Sequence, residues 1–481
     1  MDRNARDRQL RPSKFLTLTT TEDGRLLLHN SLTGAIAAIA PAQAEQARHF
    51  LRSKAADLPR ETNLEEQLAE AGFLVPIGTD EDGSAMDQYL AKYGTSHLQL
   101  IILPTEQCNF RCVYCYESFS RGAMPSEVQK ALKECVARQV NLERLNITWF
   151  GGEPLVAADV VVNLQQYFSQ HCKRHGIEFS STLVSNGYLL TPAVADKLLH
   201  LGLSHLQITL DGTAAEHNKR RHLMDGGETF EKIMVNLRYL KQRTERVRVT
   251  LRHNYDRRNL SHAPEFIELM AREFADDPRF EFVFEPIGKW GGQNDSVLDV
   301  YEGKERAATK IHLQRLAKEA GFRNAYQAQV LRPNGFVCYA ADPRSFVVGS
   351  DGTLYKCTVE LDKNERNVVG RLTQDGKLMV DWQKVALWTE SNGAWRQNSK
   401  CTGCFFLPAC FGAICPKEWL DRADVTCPPE KRFIGETLRT IALRSVNDGA
   451  QRSGSAAVER GAGASSQTEL AGGKLSGRPN S

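Results

Sequence analysis

The chain has no long apolar run. Its longest apolar stretch near the N-terminus, Ala35–Pro41, is far too short to span a bilayer. The opening MDRNARDRQLRPSKF carries charge with no apolar segment behind it, so no signal peptide is expected and a cytoplasmic protein without membrane contact follows. An excess of charge of either sign is lacking too: 61 Lys and Arg stand against 58 Asp and Glu, a net +3, which gives no pull toward nucleic acid. One local basic run, His217–His222 (HNKRRH), reads for most of its residues as a solvated loop. No Ser–His–Asp order and no phosphate-cradling Gly-Lys-Ser/Thr loop is present. What the chain does have is cysteine, 12 in 481 residues. A reducing compartment does not favour structural disulfides, so clustered thiols there point to metal or redox work.

The length predicts two or three domains. Residues 1–85 read as a small α/β unit. KFLTLTT and RLLLHN form a strand pair around the turn Thr21–Gly24, helical stretches follow near 32–54 and 63–71, and FLVPI closes the unit. Over 95–325, six apolar runs (QLIILPT, NITWFGG, STLVSNG, LQITLDG, VRVTLRHN and FEFVFEPI) alternate with helical segments such as Ser126–Glu143 and Leu155–His175. That alternation predicts parallel βαβ units closing into a partial (β/α)6 barrel, whose ligands sit at the C-terminal ends of the strands. Cys108–Cys115, Gly151–Glu153, Ser185–Gly187 and Asp211–Gly212 each follow a strand. Residues 330–432 are rich in cysteine and turns, a region expected to be held by metal more than by an apolar core. Residues 447–481, rich in Gly, Ser and Ala without an aromatic, read as a disordered tail.

The sharpest signal is Cys108-Asn-Phe-Arg-Cys112-Val-Tyr-Cys115. Iron–sulfur clusters are usually held by four cysteines, so three on one tight loop leave an iron open to a ligand. The competing readings are a zinc site or three surface thiols, and zinc prefers four closed ligands. The spacing, with aromatic Tyr114 before the last cysteine, resembles the signature of the radical S-adenosylmethionine (SAM) superfamily. The resemblance implies a [4Fe–4S] cluster whose open iron chelates SAM, and a 5′-deoxyadenosyl radical that takes hydrogen from a substrate. It also implies roles for residues that arrive in the family's order. Tyr114 borders the cofactor, Gly151, Gly152 and Glu153 take the SAM amino group, and Ser185 and Asn186 lie near its ribose and carboxylate. Arg221 grips that carboxylate, with neighbouring Arg220 as the alternative.

A second cysteine field follows. Cys338 and Cys357 flank a predicted hairpin, FVVGSDGTLYKC, and Cys401-x2-Cys404-x5-Cys410-x4-Cys415-x11-Cys427 comes after. This resembles the SPASM extension of radical SAM enzymes, which implies two auxiliary [4Fe–4S] clusters and three in all. By that resemblance Cys401, Cys404, Cys410 and Cys427 hold one, and Cys338, Cys357 and Cys415 hold the other without a fourth cysteine. The family has three residues where this chain has four between Cys410 and Cys415; zinc sites of the Cys-x2-Cys kind are the alternative. Cys135 and Cys172 fall inside predicted helices and read as buried apolar residues.

SPASM-bearing enzymes mostly modify peptides. The resemblance therefore implies a precursor peptide, encoded nearby, that receives a thioether or carbon–carbon crosslink, with flavodoxin or ferredoxin as electron donor. The N-terminal unit is loosely similar to the winged-helix elements that bind leader peptides. Peptide epimerisation and sulfatase-type formylglycine formation are the alternatives, but sulfatase maturases carry an aspartate where this chain has Thr358. A zinc-stabilised RNA-binding protein is the distant one. Lys289 and Trp290, after the sixth strand, are candidates for substrate contact, and no residue stands out as a catalytic base.

Overall fold

The computed structural model describes residues 9–52, 63–91, 94, 96–323, 325–361, 364–390 and 398–443. The expected tail at 447–481 lies outside these residues. The N-terminal unit contains β1 (Leu10–Pro12), β2 (Leu16–Thr20), β3 (Leu26–Asn30), β4 (Ile36–Ile39), α1 (Pro41–Arg52), α2 (Asn63–Glu70), β5 (Leu74–Pro76) and α3 (Glu81–Ala91). The strand pair is as expected, β2 antiparallel to β3. The helix expected over 32–54 begins only at Pro41, because Ile36–Ile39 forms a third strand against β3. Ala35–Ile39 carries two alanines between isoleucines, which suits a helix locally; pairing with the buried strand Leu26–Asn30 overrides that preference. Helix α3 was not foreseen, and it crosses the boundary expected at residue 85.

All six strand-like runs form strands: β6 (His97–Ile102), β7 (Arg144–Trp149), β8 (Glu178–Ser185), β9 (His205–Thr209), β10 (Arg248–Tyr255) and β11 (Phe280–Pro286). Between them lie α4 (Ser126–Ala137), α5 (Ala158–His175), α6 (Pro192–His200), α7 (Ala214–Arg220), α8 (Phe230–Lys241) and α9 (Ala263–Phe274). The strands pair in parallel and in chain order from β6 to β11. The two end strands do not pair with each other, so the sheet is the open barrel that strand–helix alternation predicts. Its outer face is apolar. Val160, Val161, Leu164, Phe168 and Cys172 of α5 are buried at helical spacing and join the same core as Leu145, Ile147 and Trp149. Burying a side chain such as Phe168 stabilises by about 2 kcal/mol. Cys135 and Cys172 are fully buried in this core.

The chain continues through α10 (Gly303–Glu319) and α11 (Ala325–Val330) into β12 (Ser345–Val348), β13 (Thr353–Tyr355), β14 (Val368–Leu372), β15 (Leu378–Val380) and α12 (Trp382–Glu390). Short helices α13 (Leu407–Cys410), α14 (Pro416–Arg422) and α15 (Pro429–Arg432) precede α16 (Ile434–Ala442). The expectation of a region held mainly by metal needs correcting here. β12 pairs in parallel with β6 and extends the sheet to ten strands. Phe346, Val348, Leu354, Val369, Val385 and Trp388 belong to the barrel's own core. The predicted hairpin is there, β12 antiparallel to β13. Among the described residues no helix is long and apolar enough to cross a membrane.

Candidate active site

The cysteine loop leaves the end of β6 and is walled by the turn after β7. Glu153 N–H donates to Gln107 O at 2.9 Å. A Cβ on Gly151 would meet Thr105 O at 2.4 Å, and one on Gly152 would meet Gln107 O and Glu106 O at 2.5 Å. Glycine is therefore required because two backbones touch, the loop's and the turn's. Glu153 is fully buried. Its carboxylate accepts from Leu155 N at 3.0 Å, Ser185 Oγ at 2.8 Å and Asn186 N at 2.7 Å. Burial pushes its pKa up and these donors pull it back. A carboxylate offers about four acceptor positions, so roughly one remains for a ligand's ammonium. Asn186 reaches the cysteine loop, donating to Asn109 Oδ1 at 2.8 Å, with Cys108 Sγ 4.0 Å from the same nitrogen.

The basic run HNKRRH is not a solvated loop. His217, Arg220 and Arg221 are buried, and the segment lines the cysteine loop: Val113 N donates to Arg220 O and Arg111 N to His222 O, each at 3.0 Å. The two arginines have separate tasks. Arg220 grips Asp256 with both Nη atoms at 3.2 and 3.0 Å. Arg221 donates to Tyr114 OH at 2.7 Å, and Tyr114 in turn donates to Asp211. Asn254, at the end of β10, donates to the same hydroxyl at 3.0 Å, while its backbone N–H donates to Asp211 Oδ1 at 3.1 Å. The sequence marks Asp211 only as a strand end and assigns Asn254 no role. Its signal was its position, polar at the C-terminal end of VRVTLRHN.

The twelve cysteines are all free thiols. Burial pushes Cys108 and Cys115 up to about 12; Cys108 also feels Cys112 and Cys115, and Cys115 feels Cys112. Cys112 also rises with burial, and Arg221 beside it pulls it down. The later thiols fall into two neighbourhoods. Cys357, raised to about 12 mainly by burial, senses Cys338 and Cys415, and Cys415 senses Cys338. Cys410, likewise raised to about 12 by burial, senses Cys404, Cys401 and Cys427. The four-residue spacer accommodates this split, since Phe411 and Gly412 both take left-handed conformations and turn the chain between Cys410 and Cys415. Buried neutral thiols in sets suit a cationic cluster, which deprotonates the thiols it binds. Among the described residues no three His, Cys, Asp or Glu converge as on a single metal ion.

Asn367 fixes Cys357, accepting from its N–H at 2.8 Å and donating to its carbonyl at 2.8 Å. Thr358 N donates to Tyr339 OH, and the two hydroxyls lie 2.9 Å apart. The loop after β11 closes on the first cysteines: Asn294 Nδ2 donates to Val113 O at 3.0 Å, and a Cβ on Gly292 would come 2.8 Å from Cys115 O. Trp290, half-buried, has Lys417 Nζ 5.9 Å from its ring, whereas Lys289 is exposed.

The radical SAM superfamily profile matches residues 102–270, which span the first cysteine loop, Glu153, Asn186 and Arg221. The chain carries a radical SAM domain. Such a domain is an iron–sulfur, SAM-dependent catalyst. The mycofactocin maturase MftC of Mycolicibacterium smegmatis is 26% identical over 343 residues, 67% of this chain and 80% of that protein. The AdoMet-dependent heme synthase of Methanosarcina barkeri is 27% identical over 201 residues, 40% of this chain and 52% of that protein. The chain spans about half the length of such curated relatives, 41% in the case of an uncharacterized protein of Synechocystis sp.. A solved structure described as native anSMEcpe with bound AdoMet and Cp18Cys peptide is similar with a TM-score of 0.53 at 18% identity, covering 72% of this chain and 96% of that one. At that identity the likeness is one of fold.

Proposed function

We propose that this protein is a radical SAM maturase that installs a thioether or carbon–carbon crosslink, or another radical modification, in a ribosomally made peptide. The observation that carries this reading is the nearness of two thiol groups to one side chain: Tyr116, next to Cys115, feels the charge of both Cys115 and Cys357. The loop of Cys108, Cys112 and Cys115 follows β6, and Cys357 follows β13, which lies beyond β12 in the same sheet. In this reading Cys108, Cys112 and Cys115 hold the catalytic [4Fe–4S] cluster. Cys338, Cys357 and Cys415 hold one auxiliary cluster, and Cys401, Cys404, Cys410 and Cys427 the other. When bound, the first cluster and SAM together supply a radical able to take hydrogen from an unactivated carbon.

The chain's own residues orient the cofactor. Arg221, steadied by Tyr114 and Asp211, presents its remaining donors to the SAM carboxylate, a task suited to a planar fork. Glu153 would offer its last acceptor position to the ammonium, and Ser185 and Asn186, both donating to that carboxylate, would hold it in place for the task. The loop that carries Trp290 packs on the first cysteine loop, which would bring Trp290 toward the substrate. The N-terminal unit is the candidate holder of the peptide's leader. Similarity to a maturase over 343 residues supports a maturation role. Thr358, bonded to Tyr339 where sulfatase maturases carry an acid, favours crosslinking over formylglycine formation.

The test is intact mass of the candidate peptide encoded beside this gene, after anaerobic reaction with iron- and sulfide-reconstituted enzyme, SAM and a reductant such as reduced flavodoxin. A loss of about 2 Da per event is expected, two hydrogens removed per crosslink. An unchanged peptide, with no deuterium gained in heavy water and no 5′-deoxyadenosine formed, would overturn the proposal.

A further inference from the structure

The four thiols of Cys401, Cys404, Cys410 and Cys427 have a cation among them. Helix α15 begins directly after Cys427, where Pro428 and Pro429 preset the backbone for a helix. Four residues on from Cys427, Lys431 lies back over it with Nζ 3.5 Å from Cys427 Sγ. The same ammonium is also within hydrogen-bonding reach of Cys404. Among the described residues no carboxylate lies within ion-pair distance of it, whereas nearby Lys400 is spent on Asp424 at 2.6 Å.

Hydrogen bonds to cluster sulfurs are among the factors that set an iron–sulfur potential. Reduction adds one negative charge to the cluster and its thiolates, and an adjacent ammonium stabilises that charge more than the oxidised state. We propose that Lys431 is a tuning residue: its ammonium, held on Cys427 and Cys404, raises the reduction potential of the cluster at the four-cysteine site and so favours that cluster as an electron acceptor. The inference rests on the iron–sulfur reading above. One electron enters the cluster, no bond forms or breaks, and Lys431 keeps its proton. In the crosslinking reaction the electron comes from the substrate radical as its new bond closes and a proton leaves to solvent, and in the test it comes from dithionite.

The test is EPR-monitored redox titration, with viologen mediators, of the full chain carrying Cys108→Ala, Cys112→Ala and Cys115→Ala, which leaves two auxiliary clusters and about eight irons. In that background Lys431→Gln and Lys431→Met should each lower the reduction equilibrium constant of one of the two transitions roughly tenfold, about 59 mV for one electron. The second transition should stay in place, and Lys431→Arg should restore the first. Unmoved potentials with iron intact would overturn the tuning role. So would loss of iron from both variants, which makes Lys431 a support for assembly. A parent protein that takes up zinc and no iron would instead bring down the iron–sulfur reading itself.

Discussion

At the scale of single residues, the site is built from buried charges that other side chains and backbone groups of the chain hold in place. Glu153 accepts three donors, and an amide in its place would turn an NH2 toward one of them. Glu153→Gln should therefore lower stability by about 1–3 kcal/mol, read by denaturant unfolding of the cluster-free protein. Arg220 and Asp256 form a buried bidentate pair. Arg220→Ala leaves Asp256 charged and unpaired, and should cost about 3–5 kcal/mol in the same assay. The double variant Arg220→Met, Asp256→Leu should recover a large part of that loss, because the desolvation of both ions is removed with their attraction. Arg221→Lys should instead leave folding intact and weaken SAM roughly tenfold by calorimetry, since an ammonium cannot make the two parallel bonds of a guanidinium.

At the scale of elements, β3 is one of several ties between the N-terminal unit and the rest, beside β2 and α3. His29 of β3 is fully buried with Nε2 2.9 Å from Leu331 O, and Ser31 Oγ donates to Phe405 O at 2.5 Å. Burial lowers the His29 pKa from 6.5 to about 4. The folded state thus keeps this ring neutral while the unfolded chain takes up a proton below pH 6.5, so the unfolded state binds more protons across that window. Stability contributed by the neutral ring is complete above pH 6.5 and is lost as pH falls toward 4, by up to about 3 kcal/mol. His29→Gln keeps a donor for Leu331 and has nothing to titrate. Its stability should fall less steeply than the parent's between pH 6.5 and 4, as read by unfolding at fixed temperature; parallel curves would refute the assignment.

At the scale of the whole molecule, the ten-stranded sheet runs through the radical SAM barrel and into the cysteine-rich region. That continuity decides what cluster loss should do. Strands β12 and β13 are buried against β6 and share its core, so they should keep their amide protection after iron is stripped with a chelator. The segment from Cys401 to Cys427, built of short helices and turns, should exchange faster. Hydrogen exchange with mass spectrometry separates the two. Equal loss of protection in β12 and in the Cys401–Cys427 segment would mean that metal, after all, holds the region together.

The sequence by itself determined the six strands, the hairpin at Asp351–Gly352, the three-cysteine loop, and the order in which Glu153 and the Arg220–Arg221 pair follow it. Each is a local pattern: an apolar run of strand length, a turn dipeptide, or fixed spacing along a single loop. Only the tertiary structure decided the rest. Ile36–Ile39 is a strand because a buried neighbour pairs with it. Arg220 and Arg221 differ in role because one bonds Asp256 and the other the Tyr114 hydroxyl, partners far apart in the chain. Asn254, Asn367 and Lys431 acquire meaning only from what the fold brings to them, a hydroxyl, a backbone and two thiols. A charge or an amide carries no sign of its partner in its own neighbourhood of sequence, whereas a strand, a turn and a cysteine loop do.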